Sequence, residues 1–148
     1  LISMFAARRG GFVTASDISL TAVYNIEKNV KMTDANVEVV HSDLFDDVPN
    51  RRYDYIIINP PYYKKTPGSE KEFAWFGGDD FQYFRKLFTQ LGNNVYENTN
   101  VIMVLSDEAD LEMIKSIATE NKFQMKEVFH KKTWGENHFI FNIKSTKH

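Results

Sequence analysis

Residues 53–67 read YDYIIINPPYYKKTP, and the fold is decided by how this stretch begins and how it stops. A continuous apolar run through Ile56, Ile57 and Ile58 suits a strand buried on both faces of a parallel sheet. Asn59-Pro60-Pro61 then ends it, because neither proline has a backbone N–H to offer a ladder. Pro60 also biases Asn59 toward extended geometry, which limits where its side chain points. In an open α/β sheet, ligands bind outside the carboxyl ends of the strands, and Asn59 stands at such an end.

Working outward, strand and helix patterns alternate, the signature of an α/β domain with a mostly parallel sheet. LISMFAARRGG reads as the tail of a helix capped by Gly10 or Gly11. FVTASDI is a short strand ending at Asp17. Ser19 occupies an N-cap position before a helix whose Ala22, Val23, Ile26 and Val30 share one face. NVEVVHSD is the next strand, ending near Asp43. After the Asn-Pro-Pro strand, the spacing predicts a long helix over Phe81–Val95, with Asp79-Asp80 as its cap. NVIMVLS is another buried strand. Ser106 or Asp107 would cap the following helix, with Glu108 and Asp110 in its first turn and Leu111, Ile114, Ile117 and Ala118 inward. FQMKEVFHKK and HFIFNIK are two closing strands joined by TWGEN, with Glu136 and Asn137 as turn residues, which makes the pair antiparallel. The one long irregular segment, about Tyr62 to Gly78, follows the prolines directly, and a loop of that length is usually functional or mobile.

The bulk numbers narrow the class. At 148 residues the chain suits one domain. Hydrophobic residues make up 43% and suffice for a core. No apolar run approaches the roughly 18 residues that span a bilayer, so a cytoplasmic protein without a membrane partner is expected. There are no cysteines, which removes disulfides and thiolate catalysis. His41, His130, His138 and His148 have no ligand spacing, so no metal site is expected. A net charge of −2 does not mark a general polyanion binder. Lys64, Lys65 and Lys71 could meet phosphates but read better as a solvated loop. Phe73, Trp75 and Phe76 either wall a pocket or pack the loop.

The Asn59-Pro60-Pro61-Tyr62 corner has a specific chemical aptitude. It loses two donors, keeps its carbonyl acceptors, and adds the Asn59 amide oxygen and an aromatic face. Such a site suits a planar group bearing –NH2: two acceptors hold its hydrogens while a ring stacks on its plane. The nitrogen of an amide or a base amine is a poor nucleophile because its lone pair is delocalised. Accepting both hydrogens localises that pair toward an electrophile, so Asn59 would act by positioning and electrostatic preorganisation. Asn-Pro alone is an ordinary turn signal. The buried strand, the full motif and the long loop together favour function.

These features resemble the class I S-adenosylmethionine-dependent methyltransferases that carry an N-P-P-Y motif, the HemK-like glutamine methyltransferases and the small-domain RNA methyltransferases among them. INPPYY carries the resemblance, and TASDIS and VVHSDLF support it by position. It implies a Rossmann-like, doubly wound sheet closed by a C-terminal antiparallel hairpin, with S-adenosylmethionine as cofactor. By the resemblance, Asp17, with Ile18 beside it, meets the cofactor ribose hydroxyls. Asp43 accepts from the adenine amino group, with Leu44 and Phe45 beside the ring. Asn59 and the Pro60 carbonyl hold the target amine, Pro61 completes the bend, and Tyr62 stacks on the target. Taken singly, Asp17 and Asp43 are turn residues; their places on consecutive strands ahead of the Asn-Pro-Pro strand favour cofactor binding.

One departure stands out. The family's first, central strand and its glycine-rich loop are not in this sequence, and Gly10-Gly11, lying between helix and strand, is no substitute. The expectation is a single catalytic domain, residues 1–148, that continues upstream of Leu1. The expected substrate is a protein glutamine amide of release-factor type or a nucleobase amine of RNA or DNA. The competing reading is a non-catalytic partner module that has lost cofactor binding. A nicotinamide dehydrogenase is disfavoured because it leaves the Asn-Pro-Pro-Tyr segment unexplained.

Overall fold

A computed structural model of the protein describes residues 2–63, 65–69, 72, 74–133 and 135–146. Lys64, Lys71, Phe73 and His148, named above, and Trp134 of the TWGEN connection lie outside the described residues. The chain divides into two compact units, Leu1–Pro49 and Asn50–His148.

The first unit is built from α1 (Ile2–Arg8), β1 (Val13–Asp17), α2 (Leu20–Thr33) and β2 (Val37–His41). Gly10 ends α1 at φ 88°, a left-handed position, and the Gly11 N–H reaches back to the Ala6 carbonyl at 3.1 Å. Ser19 caps α2 as its position implies, its hydroxyl accepting the Ala22 N–H at 3.3 Å. Of the expected inner face, Val23 is buried and Ala22, Ile26 and Val30 are half-buried. β1 and β2 pair in parallel from Val13 opposite Val37 to Asp17 opposite His41. The second strand stops at His41, short of Asp43, because buried Ser42 turns the chain: its hydroxyl donates to the Leu44 carbonyl and accepts from the Asp47 N–H.

The second unit contains β3 (Tyr55–Ile58), α3 (Gln82–Asn94), β4 (Asn100–Ser106), α4 (Leu111–Glu120), β5 (Phe123–Thr133) and β6 (Glu136–Ser145). Its sheet has the order β3-β4-β6-β5. β3 is parallel to β4, and β6 is antiparallel to both β4 and β5. Three strands therefore run one way and β6 alone is reversed, a mixed Rossmann-like arrangement with the expected closing hairpin. The strands form two separate sheets, since β1 pairs only with β2 and β3 only with β4 among the described residues.

Register explains the core of the second unit. Ile56, Val101 and Ile143 form one row across the sheet, and Ile58, Met103 and Phe141 the next. All six are buried, as are Phe84, Leu87, Phe88 and Leu91 of α3 and Ile114, Ile117 and Ala118 of α4. β3 itself departs from expectation. It is buried on one face only: Tyr55 is 65% exposed and Ile57 52% exposed. Side chains alternate across a strand, and the unit's helices bury their apolar faces with the other rows.

Three terminal assignments also change. Asp110, not Ser106 or Asp107, caps α4, its carboxylate accepting the Met113 N–H at 3.1 Å. Residues 106–109 instead form a turn closed by the Ala109 N–H on the Ser106 carbonyl. Asp79 and Asp80 do not cap α3, whose N-cap is Phe81 at φ 55° without a side-chain cap; Asp79 holds Thr66 instead. Glu136 and Asn137 belong to β6, with Glu136 opposite Thr133, so the hairpin connection is tighter than TWGEN implies. Among the described residues no helix is long and apolar enough to cross a membrane.

Candidate active site

In the first unit, the parallel register sets Asp17 opposite His41, two residues before Asp43. The Ser42 N–H donates to the Asp17 carbonyl at 3.0 Å, which ties the last residue of β1 to the turn that carries Asp43. The Asp17 carboxylate accepts the Ser19 N–H at 2.9 Å, an Asx-type contact that orients the side chain at the mouth of α2. The His41 Nε2 lies 2.9 Å from the Ile18 carbonyl and fixes that residue, a contact sequence reasoning did not anticipate. Leu44 adopts φ 55° in the turn between Asp43 and Phe45. This unit thus gathers Asp17, Ile18, Asp43, Leu44 and Phe45 at one end of its two strands. These groups fit a ribose and an adenine chemically: carboxylates accept from hydroxyls and from an exocyclic amine, and Leu44 and Phe45 supply apolar surface.

In the second unit, β3 ends at Ile58 and Asn59 begins the corner. The Asn59 side chain is exposed and has no hydrogen-bond partner among the described residues. Pro60 is buried beneath it and Pro61 and Tyr62 are half-buried. Among the described residues the Asn59 amide thus keeps its hydrogen-bonding capacity, next to a buried proline. The Tyr62 and Tyr63 rings lie 5.0 Å apart and tilted by 46°.

Described residues near the two ends of the long loop pair with each other. Tyr63 and Phe76 form a parallel bridge: the Tyr63 N–H donates to the Trp75 carbonyl at 3.1 Å, and the Gly77 N–H returns to the Tyr63 carbonyl at 3.0 Å. Between these ends, Glu72 accepts the Gly68 N–H and lies 3.7 Å from Lys65, whose ammonium sits over the Phe76 ring. Phe76 therefore packs the loop, whereas Trp75 is 59% exposed.

The rim beyond β4 supplies groups that sequence reasoning used otherwise. Because α4 starts later than expected, Asp107 is released from the cap and Glu108 from the first turn. The Tyr63 hydroxyl donates to the Glu108 carboxylate. That bond, and the negative charge behind it, push the phenol pKa from 10.0 to about 12. Asp107 accepts both the backbone N–H and the side-chain amide of Asn137, the first at 3.1 Å, and these bonds hold its carboxyl below the ordinary value. Asn137 Oδ1 in turn lies 3.1 Å from His130 Nε2. The β5–β6 hairpin is thereby fastened to the carboxyl end of β4. Among the described residues no three His, Asp or Glu side chains are grouped to hold a metal ion.

Comparison with known proteins shows the family and the fold. Residues 1–75 match the methyltransferase small domain family. A Methanocaldococcus jannaschii protein named for N5-glutamine methyltransferase activity is 32% identical over 113 residues, covering 71% of this chain and 55% of that protein. A release factor glutamine methyltransferase from Neisseria gonorrhoeae is 41% identical over 63 residues, 41% of this chain and 23% of that protein. The chain thus spans about half, or less, of the length of these relatives. The crystal structure of a methyltransferase from Pyrococcus furiosus superposes with a TM-score of 0.73 at 21% identity, covering 97% of this chain and 68% of that one.

Proposed function

The chain belongs to the methyltransferase small domain family, and from that premise we propose that it serves S-adenosylmethionine-dependent N-methylation of a planar amino nitrogen. The observation that carries the reading is the exposed Asn59 amide at the end of β3, unpartnered among the described residues and beside two peptide units that have no N–H. When bound, the cofactor supplies a sulfonium-activated methyl carbon as electrophile. The Asn59 Oδ1 and the Pro60 carbonyl accept the two hydrogens of the target nitrogen, and the Tyr62 ring faces its plane, with Pro61 rigidifying the bend. This holds the lone pair out of conjugation and oriented for in-line attack. The new nitrogen–carbon bond would replace the carbon–sulfur bond and the nitrogen would then release one proton, so the effect is positioning rather than strong-base catalysis. Asp17 accepts from the ribose hydroxyls and Asp43 from the adenine amine, with Ile18, Leu44 and Phe45 beside them.

Of the two substrate classes with this donor pair, a protein glutamine amide is preferred. The names of both relatives refer to glutamine, one of them on release factors. A nucleobase amine offers the same two hydrogens and is the alternative outcome of the test. The test incubates the whole protein with methyl-labelled cofactor and either a release factor or RNA, and locates label by mass spectrometry. Methyl on a glutamine side chain supports the reading. Failure to bind the cofactor in calorimetry would favour the partner module, and binding without transfer to either class would end the N-methylation reading.

A further inference from the structure

We propose that Tyr63 and Glu108 form a positioning pair that holds the Tyr62 ring in place for the target nitrogen; the proposal rests on the methyl-transfer reading above. Tyr62 projects from a corner that supplies few hydrogen bonds, and its aromatic neighbour is the Tyr63 ring, 5.0 Å away. Tyr63 is held by its main chain and by its side chain. Its backbone bonds Trp75 and Gly77 through both N–H and carbonyl, at 3.1 and 3.0 Å. Its hydroxyl donates to Glu108, forty-five residues away in sequence.

Glu108 is itself fixed. Its N–H donates to the hydroxyl of Ser106, at 3.3 Å, and Ser106 is fully buried at the end of β4. The neighbouring Asp107 is tied to Asn137 of β6. The sheet therefore reaches the motif by a second route besides the chain itself, from β4 through Glu108 and the Tyr63 ring to Tyr62. A ring that must stack on a small planar group gains from such support, because small misplacements of reacting groups are costly in rate. Tyr63 is a positioning residue: it acts through Tyr62.

The test uses the whole protein, methyl-labelled cofactor and a release factor, with variants Tyr63→Phe, Glu108→Ala, Glu108→Gln and the double variant Tyr63→Phe/Glu108→Ala. Tyr63→Phe and Glu108→Ala should each lower kcat about tenfold with cofactor affinity unchanged. Glu108→Gln keeps an acceptor for the phenol and should retain kcat. The double variant should be no worse than either single, as expected when two residues act through one contact. Wild-type kcat in the two singles, or losses that multiply in the double, would overturn the pair. A second readout is independent of turnover: hydrogen exchange at the Gly77 amide, which bonds the Tyr63 carbonyl. Should the wild-type protein methylate nothing, the methyl-transfer reading falls and exchange still decides the contact. Faster exchange in Tyr63→Phe and Glu108→Ala but not in Glu108→Gln upholds it, and unchanged exchange in all three refutes it.

Discussion

Gly77 passes so close to Pro61 that a Cβ at residue 77 would lie 2.7 Å from the Pro61 carbonyl oxygen. The obstacle is backbone, and it belongs to the motif itself. The return of the long loop is therefore packed against the Asn59–Tyr62 corner at a distance only glycine permits. Gly77→Ala should force one of the two segments to move, at a cost of about 1–3 kcal/mol. Thermal melts should show a lower midpoint, and methyl transfer should fall further than stability alone explains. An unchanged midpoint with an unchanged rate would show that loop and motif are not coupled.

Asn59→Ala removes the exposed acceptor and leaves buried Pro60 in place. Transfer should be nearly abolished, while cofactor affinity by calorimetry stays close to the wild-type value. Equal loss of both would contradict a role in holding the target nitrogen.

Asp17→Ala should have the opposite profile. Its carboxylate, oriented by the Ser19 N–H at 2.9 Å, is assigned to the ribose, so calorimetry should register weaker cofactor binding before any defect at saturating cofactor. Unchanged affinity would remove Asp17 from the site.

The Tyr63 phenol predicts an alkaline signature. Its pKa is raised from 10.0 to about 12 in the folded protein, so the neutral form is the one that folding favours. The stabilisation is fully present below pH 10.0 and is lost as pH rises through about 12. The stability difference between wild type and Tyr63→Phe, measured by denaturant titration, should be level up to the lower value and shrink above it. A difference that grows with pH across this window would contradict the assigned contact.

The core makes a prediction independent of function. Phe88 on α3 is 1% exposed and lies 5.9 Å, ring to ring, from Phe123. Phe88→Ala should cost about 3–5 kcal/mol, the range for emptying a buried aromatic site. Urea unfolding measures it directly, and a loss below about 1 kcal/mol would mean that the helix repacks over the gap.

By itself the sequence determined the order and type of the elements, the Ser19 cap, the closing hairpin and the family, because periodicity, capping residues and the Asn-Pro-Pro-Tyr corner are local signals. It also placed Asp17 at the end of its strand, and the parallel register of β1 with β2 sets it opposite His41, two residues before Asp43. What it misread were contacts between residues far apart in the chain. Asp107, Glu108, Asp79 and Asn137 have side chains suited to caps and turns, and sequence spacing offers them nothing else. The tertiary structure decided otherwise, since the pairing of β3 with β4 and of β4 with β6 brings Tyr63 to Glu108 and Asn137 to Asp107. It likewise decided that only one face of β3 is buried: an apolar run records an affinity for burial, but which face receives helices depends on where the rest of the chain packs.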